Sequence, residues 1–167
     1  MTMQKLWLAV LVLVAAPVEP IWNGAPEPGL DDPAIRAYLD QIHGQPGMMN
    51  VPRADGEFLH DFILEHGYKQ GLEIGTSNGY SAIWMGMALR RTNGRLITLE
   101  IDQHRASLAR KNFRQVELEG VIELREGDAL GIIPELQGPF DFIFIDAWKP
   151  DYIRYFQMLY RKVRRGG

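Results

Sequence analysis

The sequence predicts an α/β fold, an open and mainly parallel sheet with helices on both faces, from three observations. Four short apolar runs, residues 72–74 (LEI), 96–100 (LITLE), 121–124 (VIEL) and 140–145 (FDFIFI), are bounded by glycine or charge, as buried strands are. Segments with helical spacing of apolar residues separate them. Strands that alternate with helices pair in parallel through right-handed crossovers, and no internal repeat suggests another architecture.

The elements follow in chain order. Residues 1–16 place one lysine ahead of an apolar run from Leu6 to Ala16. That run falls short of the ~20 residues a bilayer span requires, so no stable membrane span is expected. It reads as a signal peptide, or as an apolar N-terminal helix packed on the domain or on a second subunit, which is compatible with a homodimer. Residues 17–30 form a linker, too dense in proline and glycine for a regular element. The folded domain, 31–167, opens with Asp32 as N-cap and Pro33 at the first helical position, followed by Ile35, Tyr38, Leu39 and Ile42 at helical spacing and a stop at Gly44. After a loop over 44–56 comes a second helix carrying Phe58, Leu59, Phe62 and Ile63, stopped near Gly67. The alternating strands and helices fill the rest, and RKVRR near the end suits a helix C-terminus, where basic side chains complement the dipole.

Composition narrows the function. A net charge of −3 over 167 residues supplies no global basic field, so no nucleic-acid partner is expected. With no cysteine there are no disulfides, thiolate metal sites or cysteine nucleophile. His43, His60, His66 and His104 show no pair at metal-ligand spacing and are read as structural or exposed.

In open α/β sheets ligands bind beyond the carboxyl ends of the strands, so the residues after each strand come first. The first strand runs into LEIGTSNGYSAIWMG, where Glu73 closes the strand and Gly75 and Gly79 bracket a turn that backbone and ligand can approach closely. The second ends in Glu100, followed by Ile101 and Asp102, the latter a cap for the next helix. An acid there, about twenty residues past the glycine turn, is placed to accept both hydroxyls of a ribose. The turn spacing, Gly75-x-x-x-Gly79 with Ser77 in the middle, departs from the G-x-G-x-x-G of dinucleotide folds. Glu73 would oppose a phosphate but suits an ammonium or sulfonium, so the expected ligand is S-adenosylmethionine.

The stretches LEIGTSNGYSAIWM, LITLEID, REGDAL and FDFIFIDAWKPDY, in this order, resemble the class I S-adenosylmethionine-dependent O-methyltransferases of the catechol and caffeoyl-coenzyme A type, Rossmann-like enzymes. The likeness begins near Met48 and continues to Gly167. It implies that Glu73 and the turn residues Gly75, Thr76, Ser77, Gly79 and Ser81 hold the methionine end of the cofactor. Glu100 with Ile101 would hold the ribose, Asp128 and Ala129 would lie by the adenine, and Trp148 would pack near it. Asp146 would bind both cofactor and a divalent cation, magnesium suiting its hard oxygens. Lys149 would be the general base for a small hydroxyl acceptor, a phenol or catechol.

Four of these residues also have a plainer reading. Asp146 could cap a helix that starts at Pro150, Lys149 could be a solvated loop lysine, Trp148 a core residue and Glu100 a surface strand end. Two departures from the family pattern stand out. The chain stops at RKVRRGG, where family members turn into a fifth strand with an acidic and amide pair that completes the metal site, so a C-terminally truncated domain lacking the last strands is expected. The leader-like N-terminus points to export, whereas the resemblance points to the cytoplasm. The expected activity is methyl transfer to a hydroxyl. The alternatives are a non-catalytic cofactor-binding fragment and an NAD(P)-dependent oxidoreductase.

Overall fold

The structure, a computed structural model, describes residues 33–167. The expected leader, linker and Asp32 cap lie outside the described residues. The first helix, α1 (Pro33–His43), buries Ile35, Leu39 and Ile42, the stripe its periodicity announced. The second, α2 (Arg53–His66), takes in the last four residues of the loop expected over 44–56. Its first turn is held by Arg53, which reaches Glu57 one turn on at 2.9 Å and Asp40 of α1. Gly56, which reads as a loop glycine in sequence, sits inside this helix because a Cβ there would lie 2.4 Å from Trp84 Cδ1. The missing side chain lets α2 lie directly on α3 (Tyr80–Arg91).

Four strands make the sheet: β1 (Gln70–Ile74), β2 (Arg95–Glu100), β3 (Ile122–Glu126) and β4 (Phe142–Ile145). All pairs are parallel, in the order β3-β2-β1-β4. The chain therefore steps outward from β1 to β3 and then crosses back to the far side of β1. Strand order reverses between β1 and β4, which is where such sheets open a crevice.

Every strand departs from the sequence reading at one bound or both: β1 begins two residues earlier, at Gln70, β2 one earlier, at Arg95, and β3 one later, at Ile122. The third strand runs two residues past Leu124, because Arg125 and Glu126 still pair with Leu99 and Glu100 despite their charge. The fourth begins at Phe142 and not at Phe140. Phe140 instead forms an isolated parallel bridge with Val163, and the Asp141 carboxylate accepts the backbone N–H groups of Lys69 and Gln70 at 2.8 and 2.9 Å. That bridge also corrects the reading of RKVRR as a helix end. The last helix, α6 (Tyr152–Leu159), gives way to a short 3₁₀ turn over Tyr160–Lys162, and Arg164 reaches back to Asp141 at 2.6 Å.

Side-chain alternation along the strands feeds one core on each face. On one face Leu96, Ile122, Phe142 and Phe144 pack under α1, α2, α3 and α4 (Gln103–Gln115). On the other, Leu72, Ile74 and Leu99 meet α5 (Ala129–Ile132) and α6 through Ala129, Tyr155 and Leu159. At ~25 cal/mol per Å² of apolar surface buried, these two layers dominate the stability. Beyond β4 an apolar groove is lined by Leu59, Phe62, Phe144, Phe156 and Tyr160. Among the described residues no helix is long and apolar enough to cross a membrane.

Candidate functional site

The carboxyl ends of all four strands converge. Gly75 and Thr76, leaving β1, donate their N–H groups to the Leu99 carbonyl of β2 at 3.0 and 3.2 Å. Asp146, leaving β4, donates to the Ile74 carbonyl at 2.9 Å, and Gly127, leaving β3, donates to the Glu100 carbonyl at 2.8 Å. The Gly75–Gly79 turn thus sits at the switch between β1 and β4, opening onto the N-terminus of α3.

Three residues of that turn have positive φ: Gly75 at 103°, Ser77 at 52° and Gly79 at 89°. For the two glycines this needs no Cβ to be accommodated. A Cβ on Gly75 would lie 2.2 Å from the Asp146 carbonyl oxygen, and one on Gly79 2.5 Å from the Phe113 ring. Ser77 is held in a region that residues with side chains visit infrequently. Its N–H donates to Glu100 Oε2 at 2.7 Å, while Asp102 N–H donates to Oε1 at 2.9 Å. Glu100 is only 5% exposed, and two backbone donors fix its carboxylate while leaving each oxygen a further lone pair. The Asp102 side chain caps α4 through Arg105 N–H at 2.8 Å, as its place in the sequence predicts.

Glu73 is fully buried. Ser81 donates to its Oε1 and Thr98 to its Oε2, each at 2.5 Å, and Thr76 lies 2.5 Å from the Thr98 hydroxyl. With Thr98 donating to the acid, Thr76 completes the chain as donor to Thr98. Burial pushes the Glu73 carboxyl up to about 7; the Ser81 and Thr98 bonds oppose this, and the charges of Asp146 and Glu100 reinforce it.

The remaining expected residues line the rim. Ile101 and Trp148 are each 70% exposed, the opposite of the core position that is the plainer reading of Trp148. Asp128 is exposed and caps α5 by accepting Leu130 N–H at 3.0 Å, with Ala129 buried beside it. Asp146 does not cap a helix: a 3₁₀ turn over Lys149–Asp151 follows, with Trp148 at its N-cap. Its carboxyl is raised above the usual range by partial burial, and the charge of Lys149 pulls it back. Among the described residues no group of three or more His, Asp or Glu side chains could hold a metal ion.

Sequence reading missed Thr98, whose one signal was its place two residues before Glu100 on the same strand face. It also missed Met48, whose sulfur receives the Ser77 hydroxyl at 3.7 Å, and the buried Asn78 and Asn112 behind the turn.

The family profile described as O-methyltransferase matches residues 36–167. The chain belongs to the O-methyltransferase family. The chain is similar to the catechol O-methyltransferase of Niastella koreensis, with 42% identity over 144 residues that cover 83% of this chain and 64% of that protein. It is 36% identical to the catechol O-methyltransferase of Mycobacterium tuberculosis over 81% of this chain and 62% of that protein. Among solved structures, a Bacillus cereus O-methyltransferase in complex with S-adenosylhomocysteine superposes with a TM-score of 0.71 at 33% identity, covering 80% of this chain and 63% of that one. The chain therefore spans less than two thirds of the length of these relatives.

Proposed function

We propose that this chain binds S-adenosylmethionine across the β1 to β4 switch and serves methyl transfer to a hydroxyl of a small molecule, phenolic or catechol-like. The observation that carries the reading is Glu100, a nearly buried carboxylate locked by two backbone amides beside a turn that glycine keeps open. Such a group suits the vicinal hydroxyls of a ribose. The residues fit this cofactor better than a dinucleotide. Glu100 puts a carboxylate at the turn, where a pyrophosphate would be repelled and a cationic sulfonium favoured, and an arriving cation would draw the buried Glu73 toward its charged form.

When bound, the cofactor supplies a methyl group on sulfur that passes in line to the acceptor oxygen, the sulfur keeping the electrons of the broken bond. The protein's part is alignment, with an upper range of about 7–11 kcal/mol in well-oriented systems. Glu100 would fix the ribose and the Gly75–Ser81 segment the methionine end. Exposed Trp148 and Ile101, with Asp128 and Ala129, would flank the adenine. Lys149, on the loop after β4, would accept the hydroxyl proton.

The divalent cation implied by the resemblance does not fit the described residues. Asp146 contributes one carboxylate to that place, and a magnesium ion keeps its water unless several oxygens compete for it. No catalytic step is drawn through a cation. The same observation favours a second reading, a cofactor-binding unit without turnover. A methyl-transfer assay on catechol separates the two. Transfer above background supports the first, and cofactor binding without transfer supports the second.

A further inference from the structure

Against the Gly75–Gly79 turn lies a buried polar relay that reaches to α1. The Tyr38 hydroxyl on α1 donates to Asn112 Oδ1 on α4 at 2.7 Å. With that oxygen engaged, Asn112 Nδ2 points at the main-chain carbonyl of Asn78 and donates at 2.8 Å. The Asn78 side chain in turn donates to the Ile42 carbonyl at 3.2 Å and to Gln45 at 3.3 Å, and accepts Tyr80 N–H at 3.3 Å. Asn78 and Asn112 are both buried, so each polar atom needs its partner from within the protein.

Two peptide groups of one turn are thereby each held by a side chain from another part of the fold. Glu100 takes the N–H of Ser77, and Asn112 takes the carbonyl of Asn78. Between them Ser77 is kept at a φ of 52°. Without the Asn112 bond, the Asn78 carbonyl would be buried with no donor. The turn could then gain by rotating that carbonyl toward water, letting Ser77 relax to negative φ and withdrawing its N–H from Glu100.

We propose that Asn112, oriented by Tyr38, is a positioning residue that holds the turn and Glu100 in the arrangement a ligand meets. The proposal rests on the reading of Glu100 and the turn as the cofactor site. Neither Asn112 nor Tyr38 belongs to the set that the resemblance assigns to the cofactor. They act through the population of the competent turn, and apparent affinity falls in proportion to that population.

The test pairs calorimetric titration with S-adenosylhomocysteine and backbone amide exchange at Ser77 in the full chain, Asn112→Ala and Tyr38→Phe. Tyr38→Phe keeps the ring and deletes one hydroxyl, so it reports even if Asn112→Ala folds poorly. The expected result is affinity lower by about tenfold in Asn112→Ala and about threefold in Tyr38→Phe. Ser77 exchange should quicken in both variants without ligand and return to the parent's rate at saturation. Parental affinity and exchange, with only the melting temperature lowered, would overturn the proposal. Should the parent chain not bind S-adenosylhomocysteine, the cofactor reading fails, and Ser77 exchange in the ligand-free variants decides this one: unaltered exchange overturns it and quickened exchange upholds it.

Discussion

The Cα of Gly75 faces the main-chain carbonyl of Asp146 so closely that a Cβ on Gly75 would stand 2.2 Å from the oxygen. The two residues leave adjacent parallel strands at the point where strand order reverses, and Asp146 is pinned there by its N–H bond to Ile74. The two strand ends can lie this close because position 75 carries no side chain.

Gly75→Ala should therefore destabilise the fold by about 2–4 kcal/mol, combining strain at a φ of 103° with a clash against immobile backbone. Gly131→Ala, in α5 with nothing within 4 Å, should change stability by less than about 1 kcal/mol, and in the favourable direction. Urea unfolding of both variants checks the contrast; similar losses would contradict it.

At the opposite end of the same two strands, Asp141 ties the start of β1 to the start of β4 and to Arg164. Asp141→Ala leaves two backbone N–H groups without an acceptor and should cost about 2–4 kcal/mol. Arg164→Ala removes the more exposed partner and should cost less than about 1 kcal/mol. Denaturant midpoints compared at equal slope give both numbers.

Glu73 gives stability a pH dependence whose sign is fixed by its raised folded value. Between its ordinary value of 4.5 and about 7 the folded chain holds a proton that the unfolded chain has lost, so this contribution falls as pH rises. It is fully present below about pH 4.5 and gone above about 7, a change on the order of 3 kcal/mol. Glu73→Gln stays neutral and should gain on the parent as pH climbs from 5 to 8. A stability difference that does not vary with pH would refute the assignment.

Lys149→Ala should lower methyl transfer by about 100-fold, the scale of losing a general base, with the deficit shrinking as pH approaches the acceptor's own pKa. A pH-rate profile on catechol is the measurement. A deficit constant across pH would assign Lys149 to binding or structure instead.

Much of this was legible in sequence because it depends on local pattern. Four apolar runs and the glycine turn announced the parallel sheet, and Asp102 announced its helix. Other features depend on contacts distant in sequence. Gly56 reads as a loop residue until Trp84 is seen against it, and Phe140 reads as strand until Val163 claims it. Thr98, Asn78 and Asn112 are ordinary polar residues in the sequence. Only the register of β1 with β2 and the seat of α4 behind the turn give them partners. Charge also misled at the end of the third strand, where Arg125 and Glu126 pair with β2 while forming surface ion pairs with Glu123 and Arg110.

The cofactor proposed for Glu100 is adenosine-containing and phosphate-free. Calorimetric titration of the chain with S-adenosylhomocysteine and, separately, with NAD tests this most directly, with Glu100→Ala as the comparison. S-adenosylhomocysteine should bind and NAD should not. Glu100→Ala should lose at least tenfold in affinity, since charge-assisted hydrogen bonds contribute about 1.5–3 kcal/mol each. Equal affinity in Glu100→Ala, or NAD binding tighter than S-adenosylhomocysteine, would contradict the proposal.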